Sequence, residues 1–155
     1  MITLHWEVNE MRLNYDCIHD VLLAISELNR YTSRGSHYEL HTVTKQEIIE
    51  HPLVSGQYSY DDILYSIDQL FDMGFVEGYR IPPTHGELRM CGIDNIAPTG
   101  HEFLDDIKEP SVWEAVKAHA KKLGAISMTT LQMAIKYVLE HPECIEQAKD
   151  LIGCQ

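Results

Sequence analysis

Apolar and polar residues follow two patterns along this chain, one typical of helices and one typical of strands. Over residues 15–30 apolar side chains recur every three or four positions, which predicts a helix with one buried face. The same spacing over residues 59–73 predicts a second long helix, whose buried stripe would be Tyr60, Ile63, Leu64, Ile67, Leu70 and Phe71. Shorter apolar segments at 38–43, 75–80 and 88–93 predict strands.

Three four-residue segments have the sequence of a capping box, in which a serine or threonine and a glutamate cap a helix start reciprocally. They are residues 44–47, 99–102 and 111–114. The first opens a short helix that must end near His51-Pro52, because proline disfavours a helical residue before it. The other two open helices of the C-terminal part, where the periodicity predicts two more helices at 127–140 and 143–152.

The predicted elements follow the order helix, short strand, helix, helix and two-stranded hairpin, which is the order of a winged helix-turn-helix. The helices at 44–51 and 59–73 would form the helix-turn-helix pair, and the hairpin at 75–93 would be the wing. We therefore expect an α+β, mainly α fold: a winged helix-turn-helix with a C-terminal helical tail. Its expected parts are an N-terminal extension at 1–10, the winged-helix domain at 11–97 and a tail packed on it at 98–155.

Two features of the sequence favour pairing with a second copy. Ile2, Leu4, Trp6 and Val8 alternate with polar residues and predict an edge strand within residues 1–10, from which Trp6 could cross to another subunit. The tail helices carry apolar stripes that a symmetric partner would cover. A homodimer is therefore one expected assembly.

Three blocks of residues also carry a resemblance to a known family. The blocks are Asn14-Tyr15-Asp16 with residues 21–25, residues 60–65 through 73–78, and residues 99–105 followed by Val112-Trp113. Together they resemble a domain-of-unknown-function family of small phage and prophage proteins, over roughly residues 12–135. The resemblance implies a winged-helix-like fold and a mobile-element origin, and it implies no catalytic residues. The family usually begins near Met11, so residues 1–10 depart from it.

The charge of the chain bears directly on what it can bind. It has 24 acidic and 12 basic residues and a formal net charge of −12, which repels polyanions. On the helix at 59–73, the face opposite the apolar stripe carries Asp61, Tyr65, Asp68 and Asp72 in one line, and residues 59–72 contain no lysine or arginine. Phosphate contacts supply most of the affinity for DNA, so this face disfavours DNA binding through the helix.

Two functional hypotheses remain open. The first is a protein-interaction module whose tyrosines and aspartates bind a basic partner, such as a basic host protein in a phage setting; its residues would be Tyr58, Asp61, Asp62, Tyr65, Asp68 and Asp72. The alternative is a transcription regulator that reaches DNA mainly through the wing and nearby bases; its residues would be Arg30, Arg34, Lys45, Arg80, His85 and Arg89. The aspartates could also form a plain solvated face.

No motif in the sequence indicates an enzyme. It has no glycine-rich phosphate loop, nucleophile elbow or paired-carboxylate pattern, so we expect a non-enzymatic protein without catalytic residues or cofactors. His37 with His41, and His141 with Cys144, are too few to gather the three or four ligands of a metal site. We therefore expect no bound metal.

The sequence predicts a location in the cytoplasm of the host cell. Its four cysteines form no C-x-x-C pair and no disulfide framework. Its first ten residues lack a basic stretch followed by an apolar core, so we expect no secretory signal. No apolar run reaches the roughly 18 residues of a transmembrane helix. We expect no membrane partner.

Overall fold

The computed structural model describes residues 13–81 and 90–152. The helices in this part are α1 (Tyr15–Leu28), α2 (Lys45–Glu50), α3 (Tyr60–Asp72), α4 (Pro98–Ile107), α5 (Pro110–Leu123), α6 (Met128–Glu140) and α7 (Pro142–Ile152). The strands are β1 (Tyr31–Arg34), β2 (His37–Leu40), β3 (Val43–Thr44), β4 (Val76–Ile81) and β5 (Met90–Ile96). The predicted α+β, mainly α class is confirmed. The edge strand expected within residues 1–10, with Trp6, lies outside the described residues, as do His85 and Arg89.

A three-stranded antiparallel sheet in the order β3-β5-β4 joins the two halves of the chain. Val43 of β3 lies opposite Ile93 of β5, and Val76 of β4 lies opposite Ile96. The two strands predicted for the wing therefore pair with each other, and the short strand before α2 adds to their sheet. This places α2 and α3 beside the sheet, in contact with β5 and β4 respectively.

The segment between α1 and α2 differs from its prediction. One strand was expected over 38–43, whereas the structure has a separate two-stranded ribbon, β1–β2, and then the two-residue β3. The ribbon turns at Gly35, whose φ of +66° suits a residue without a side chain. The polar sequence of β1 gives no apolar alternation, so the pattern did not predict this strand.

The core is one contiguous cluster in which α1 packs on α3 and α5 packs on α6 and α7. Ile18, Val21 and Leu22 of α1 are fully buried, as is Ile67 of α3. Cys17 of α1 is buried too, and burial raises the pKa of its thiol to about 11.

Tyr60, predicted in the buried stripe of α3, is 50% exposed, so that prediction is wrong. It is the first residue of the helix, and its hydroxyl accepts a hydrogen bond from Lys45 Nζ at 3.1 Å. Phe71, at the other end of the stripe, is only half-buried. The middle of the stripe faces inward as predicted.

Of the three predicted capping boxes, only the first is formed. Thr44 accepts from the amide of Glu47, and the Glu47 side chain accepts from the amide of Thr44. Helix α4 instead begins at Pro98 after Ala97, and α5 begins at Pro110, so both predicted serine and threonine caps are wrong. Proline is suited to the first helical position because its missing N–H has no partner there in any case.

No helix in the described part of the chain has the length and apolar character to cross a membrane.

Candidate interaction surface on helix α3

Helix α3 carries carboxylates on the face opposite its buried residues. Ser59 caps it by accepting the amide of Asp62 at 3.1 Å. Asp61 and Asp62 lie in the first turn, where the helix dipole stabilises negative charge. Ile63 and the other core residues turn inward, so Asp61 is exposed and Tyr65 and Asp62 are half-buried at the edge of the outward face.

The other end of this face is neutralised by a base from the neighbouring strand. Arg80 of β4 makes an ion pair with Asp68 through Nη1 and with Asp72 through Nη2, the latter at 2.5 Å. Its guanidinium also lies over the Phe71 ring, 5.5 Å from the centroid. The hydrogen bond to Asp72 and both carboxylate charges raise the pKa of Arg80 despite its partial burial. The acidic face therefore consists of a charged N-terminal half and a paired C-terminal half.

Tyr58, also expected to contact a partner, is engaged inside the chain. Its hydroxyl donates to Asp20 Oδ2 on α1 at 2.5 Å, and the side chain is half-buried. Burial, with the neighbouring Asp20 charge, raises the pKa of Tyr58 well above its usual range. The hydrogen bond from Tyr58 to Asp20 therefore connects the segment before α3 to α1.

The bases named for DNA binding are distributed over two different regions. Lys45 begins α2 and its ammonium lies 5.7 Å from the centroid of the Tyr60 ring on α3. Arg80 contacts α3 as well. Arg30 lies just before β1, and Arg34 of β1 is 3.4 Å from Glu39 of β2. The structure thus brings Lys45 and Arg80 to α3 and leaves the other two described bases on the ribbon.

The sequence did not reveal a polar network that joins α1 to α5. Asp16 Oδ1 accepts from Trp113 Nε1 at 3.0 Å and from Lys117 Nζ at 2.9 Å. His19, one turn along α1, stacks on the Trp113 ring at 5.0 Å. Burial alone would raise the pKa of Asp16, but the hydrogen bonds from Lys117 and Trp113 outweigh it and lower the pKa.

This network gives a pH-dependent prediction for Asp16→Asn. Near neutral pH the variant is expected to lose about 1 kcal/mol of unfolding free energy, a modest figure because the carboxylate is half-exposed. The loss should shrink as the pH falls through the lowered folded-state pKa, below the usual 3.8, because the wild-type carboxyl then protonates and loses its own advantage. Urea unfolding at pH 7 and pH 3 measures both values; an equal loss at the two pH values would contradict the assignment.

The histidine pairs noted in the sequence make local contacts. His37 Nε2 is 3.2 Å from Glu39, and His41 Nε2 is 2.8 Å from Glu47 Oε2. His141 Nδ1 is 2.8 Å from the Tyr137 carbonyl at the end of α6. Among residues 13–81 and 90–152, no three histidine, cysteine or acidic side chains gather as a metal site would require.

One protein-family model matches most of the chain. A family of hypothetical proteins, DUF2513, matches residues 12–127. The chain belongs to this family. The DUF2513 match runs from α1 to the end of α5 and stops before α6, so it includes the acidic face of α3 and the polar network between α1 and α5. No curated protein and no solved structure matches the chain.

Proposed function

We propose that this DUF2513 protein is a winged-helix protein of phage or prophage origin that acts in the host cytoplasm without catalysis, by binding a basic protein partner through α3. The order α1, β3, α2, α3, β4, β5, with β3 added to the β4–β5 hairpin, supports the winged-helix assignment. Helices α2 and α3 would then be the helix-turn-helix pair. The phage origin rests on the family resemblance.

The observation that carries the proposal is the state of Arg80. In a DNA-binding winged helix, α3 would enter the major groove and the wing would contact phosphates. Here α3 contains no lysine or arginine, and both Nη groups of Arg80 on β4 are ion-paired with Asp68 and Asp72. To reach a phosphate, Arg80 would have to release two carboxylates next to a polyanion, which is unfavourable.

The same geometry suits a cationic protein surface. Asp61 and Asp62 are not bridged by Arg80, and Tyr65 lies one turn further on the same helix. A half-buried tyrosine with acidic neighbours can act as an anchor with a charged rim. Carboxylates of this kind speed association with a basic partner and reject acidic ones.

A transcription regulator remains the second candidate, and one observation favours it. Arg30 and Arg34 lie exposed at the ribbon, next to Tyr31 and Tyr38, which are 69% and 74% exposed. Arginines and aromatic rings together are suited to a nucleic-acid backbone and bases. In that case the ribbon, and not α3, would make the contact.

Capture from a host lysate with matched variants tests the proposal. The Asp61→Lys/Asp62→Lys variant is expected to lose a partner that the wild type captures, because it reverses the charge of the unbridged half of α3. Glu140→Lys/Glu143→Lys makes the same net-charge change on α6 and α7 and is expected to keep that partner. Asp68→Lys is a poorer variant, since it also breaks the ion pair with Arg80.

The identity of the captured protein decides the outcome. A basic partner lost only in the α3 variant supports the proposal. Equal retention in both variants, or equal loss in both, would contradict it, because the binding would then not depend on where the acids lie. Far-ultraviolet circular dichroism confirms that both variants are folded.

A further inference from the structure

The β1–β2 ribbon is exposed along its whole length. Every residue from 31 to 40 is exposed within the described part of the chain, including Tyr31, Tyr38 and Leu40 at 69%, 74% and 41%. An isolated two-stranded ribbon is marginally stable in water, and three or more strands are usually needed. The ribbon thus has the composition and exposure of an element that a further strand would complete.

The register sorts the ribbon into two faces. Tyr31 lies opposite Leu40, and Ser33 lies opposite Tyr38, so three apolar side chains share one face. The other face carries Thr32, Arg34, His37 and Glu39, with the Arg34 and His37 side chains 3.4 and 3.2 Å from Glu39. One face is therefore apolar and the other carries charges of both signs.

The hydrogen-bond pattern determines which edge groups are open. The backbone N–H of His41 donates to the Arg30 carbonyl at 2.8 Å, so Arg30 and His41 form a hydrogen-bonded pair next to the pair of Tyr31 and Leu40. Hydrogen-bonded and non-hydrogen-bonded pairs alternate along an antiparallel ribbon. Thr32 and Glu39 are therefore a hydrogen-bonded pair, whereas Tyr38 and Leu40 direct their N–H and C=O groups away from β1. In the described residues no third strand takes up this edge of β2.

We propose that β2 pairs antiparallel with β2 of a second copy, about a twofold axis at Tyr38. Tyr38 of each copy then exchanges two hydrogen bonds with Tyr38 of the other, using the groups that point away from β1. The same register sets His37 of one copy directly opposite Glu39 of the other on the charged face. The edge is self-complementary in backbone, ring and charge, which identifies its occupant as another copy of this chain.

The pairing builds a four-stranded antiparallel sheet from two ribbons. Both β2 edges are removed from solvent, and the apolar faces merge, so that the two Tyr38 rings lie side by side. This surface is separate from α3, so the partner-binding proposal stands or fails independently of it.

Disulfide trapping tests the register directly. Residues in an antiparallel hydrogen-bonded pair have Cα atoms about 5.5 Å apart, which is within the range of a disulfide. In a Cys144→Ser/Cys154→Ser background, Tyr38→Cys is expected to form a covalent dimer under mild oxidation. Tyr31→Cys, a comparably exposed tyrosine on the same face but on β1, is the control and is expected to give no covalent dimer, because the proposed pairing keeps the two β1 strands apart.

Removing the edge donor provides a second test. Tyr38→Pro deletes an N–H that points away from β1, so it spares the hydrogen bonds within the ribbon, and Tyr38→Thr keeps that N–H as a control. In sedimentation equilibrium, the dimer dissociation constant of the proline variant should be about thirtyfold higher than that of the threonine variant. Both variants lose the tyrosine ring, and only the proline variant also loses the two hydrogen bonds. A wild-type chain that stays monomeric while the Tyr38→Cys variant fails to cross-link, or a dimer unaffected by proline, overturns the proposal.

Discussion

Gly100→Ala is expected to destabilise the protein by about 3 kcal/mol, at the upper end of overpacking costs. A Cβ on Gly100 would lie 2.3 Å from the Phe75 carbonyl oxygen and 2.7 Å from Ile96 Cγ2. That oxygen accepts the amide of Ala97, just before α4, so it cannot move away without loosening the start of the helix. Urea unfolding followed by circular dichroism measures the change.

The direction of the change in stability distinguishes overpacking at Gly100 from the ordinary helix preference for alanine. Without the close contact, alanine in a helix would stabilise by up to about 1 kcal/mol relative to glycine. Gly56→Ala is the control, because its φ is +74° and no atom lies within 4 Å of the added Cβ, so only backbone strain of about 1–2 kcal/mol is expected. A Gly100→Ala variant as stable as the wild type would show that α4 is not packed this closely on Phe75.

Trp113→Ala is expected to cost about 3–5 kcal/mol, the range for removing a large buried aromatic side chain. Trp113 is 7% exposed, lies against His19, and donates to Asp16, so its loss opens a cavity where α5 meets α1. The measurement is again urea unfolding. The contacts of Trp113 with Asp16 and His19 also hold α5 against α1.

Trp113→Phe separates ring packing from the hydrogen bond. It keeps most of the buried ring and removes the 3.0 Å bond to Asp16, so a loss of about 1–2 kcal/mol is expected. The order of stability should be wild type, then phenylalanine, then alanine. An alanine variant close to the wild type would instead mark Trp113 as an interface anchor with little role in the fold.

Elements set by local pattern could be predicted from the sequence. The apolar spacing predicted that the middle of α3 faces inward, with Ile63 and Ile67 in the core. The capping box at Thr44 and Glu47 was predicted because both partners lie within four residues of each other. Patterns of this range carry their own stereochemistry, so no knowledge of the rest of the fold was needed.

Contacts between distant segments could not be predicted in the same way. Arg80 reaches Asp68 and Asp72 only because β4 folds back beside α3, and nothing in the local sequence of any of the three shows this. Tyr58 and Asp20 are 38 residues apart. The sequence predicted a line of acids opposite the apolar stripe of α3, but not that Arg80 pairs with two of them.

The starts of α4 and α5 show a different limit. The serine and threonine at 111 and 99 matched the capping-box pattern, yet in both cases a proline just before them takes the first helical position. Thr99 instead donates to the Gly74 carbonyl at 3.1 Å, which ties α4 to the turn after α3. A tertiary partner competed with the local cap and prevailed.

Retardation of duplex DNA in a gel at about 50 mM salt tests the central claim most directly, because phosphate-driven binding is strong at low salt. With α3 acidic and Arg80 held by Asp68 and Asp72, we expect no retarded band at protein concentrations up to about 100 µM, where ordinary nonspecific binders are already bound. A retarded band that fades steeply as salt is added, and that Arg80→Met abolishes, would show that Arg80 leaves its two carboxylates for phosphate and would contradict the account.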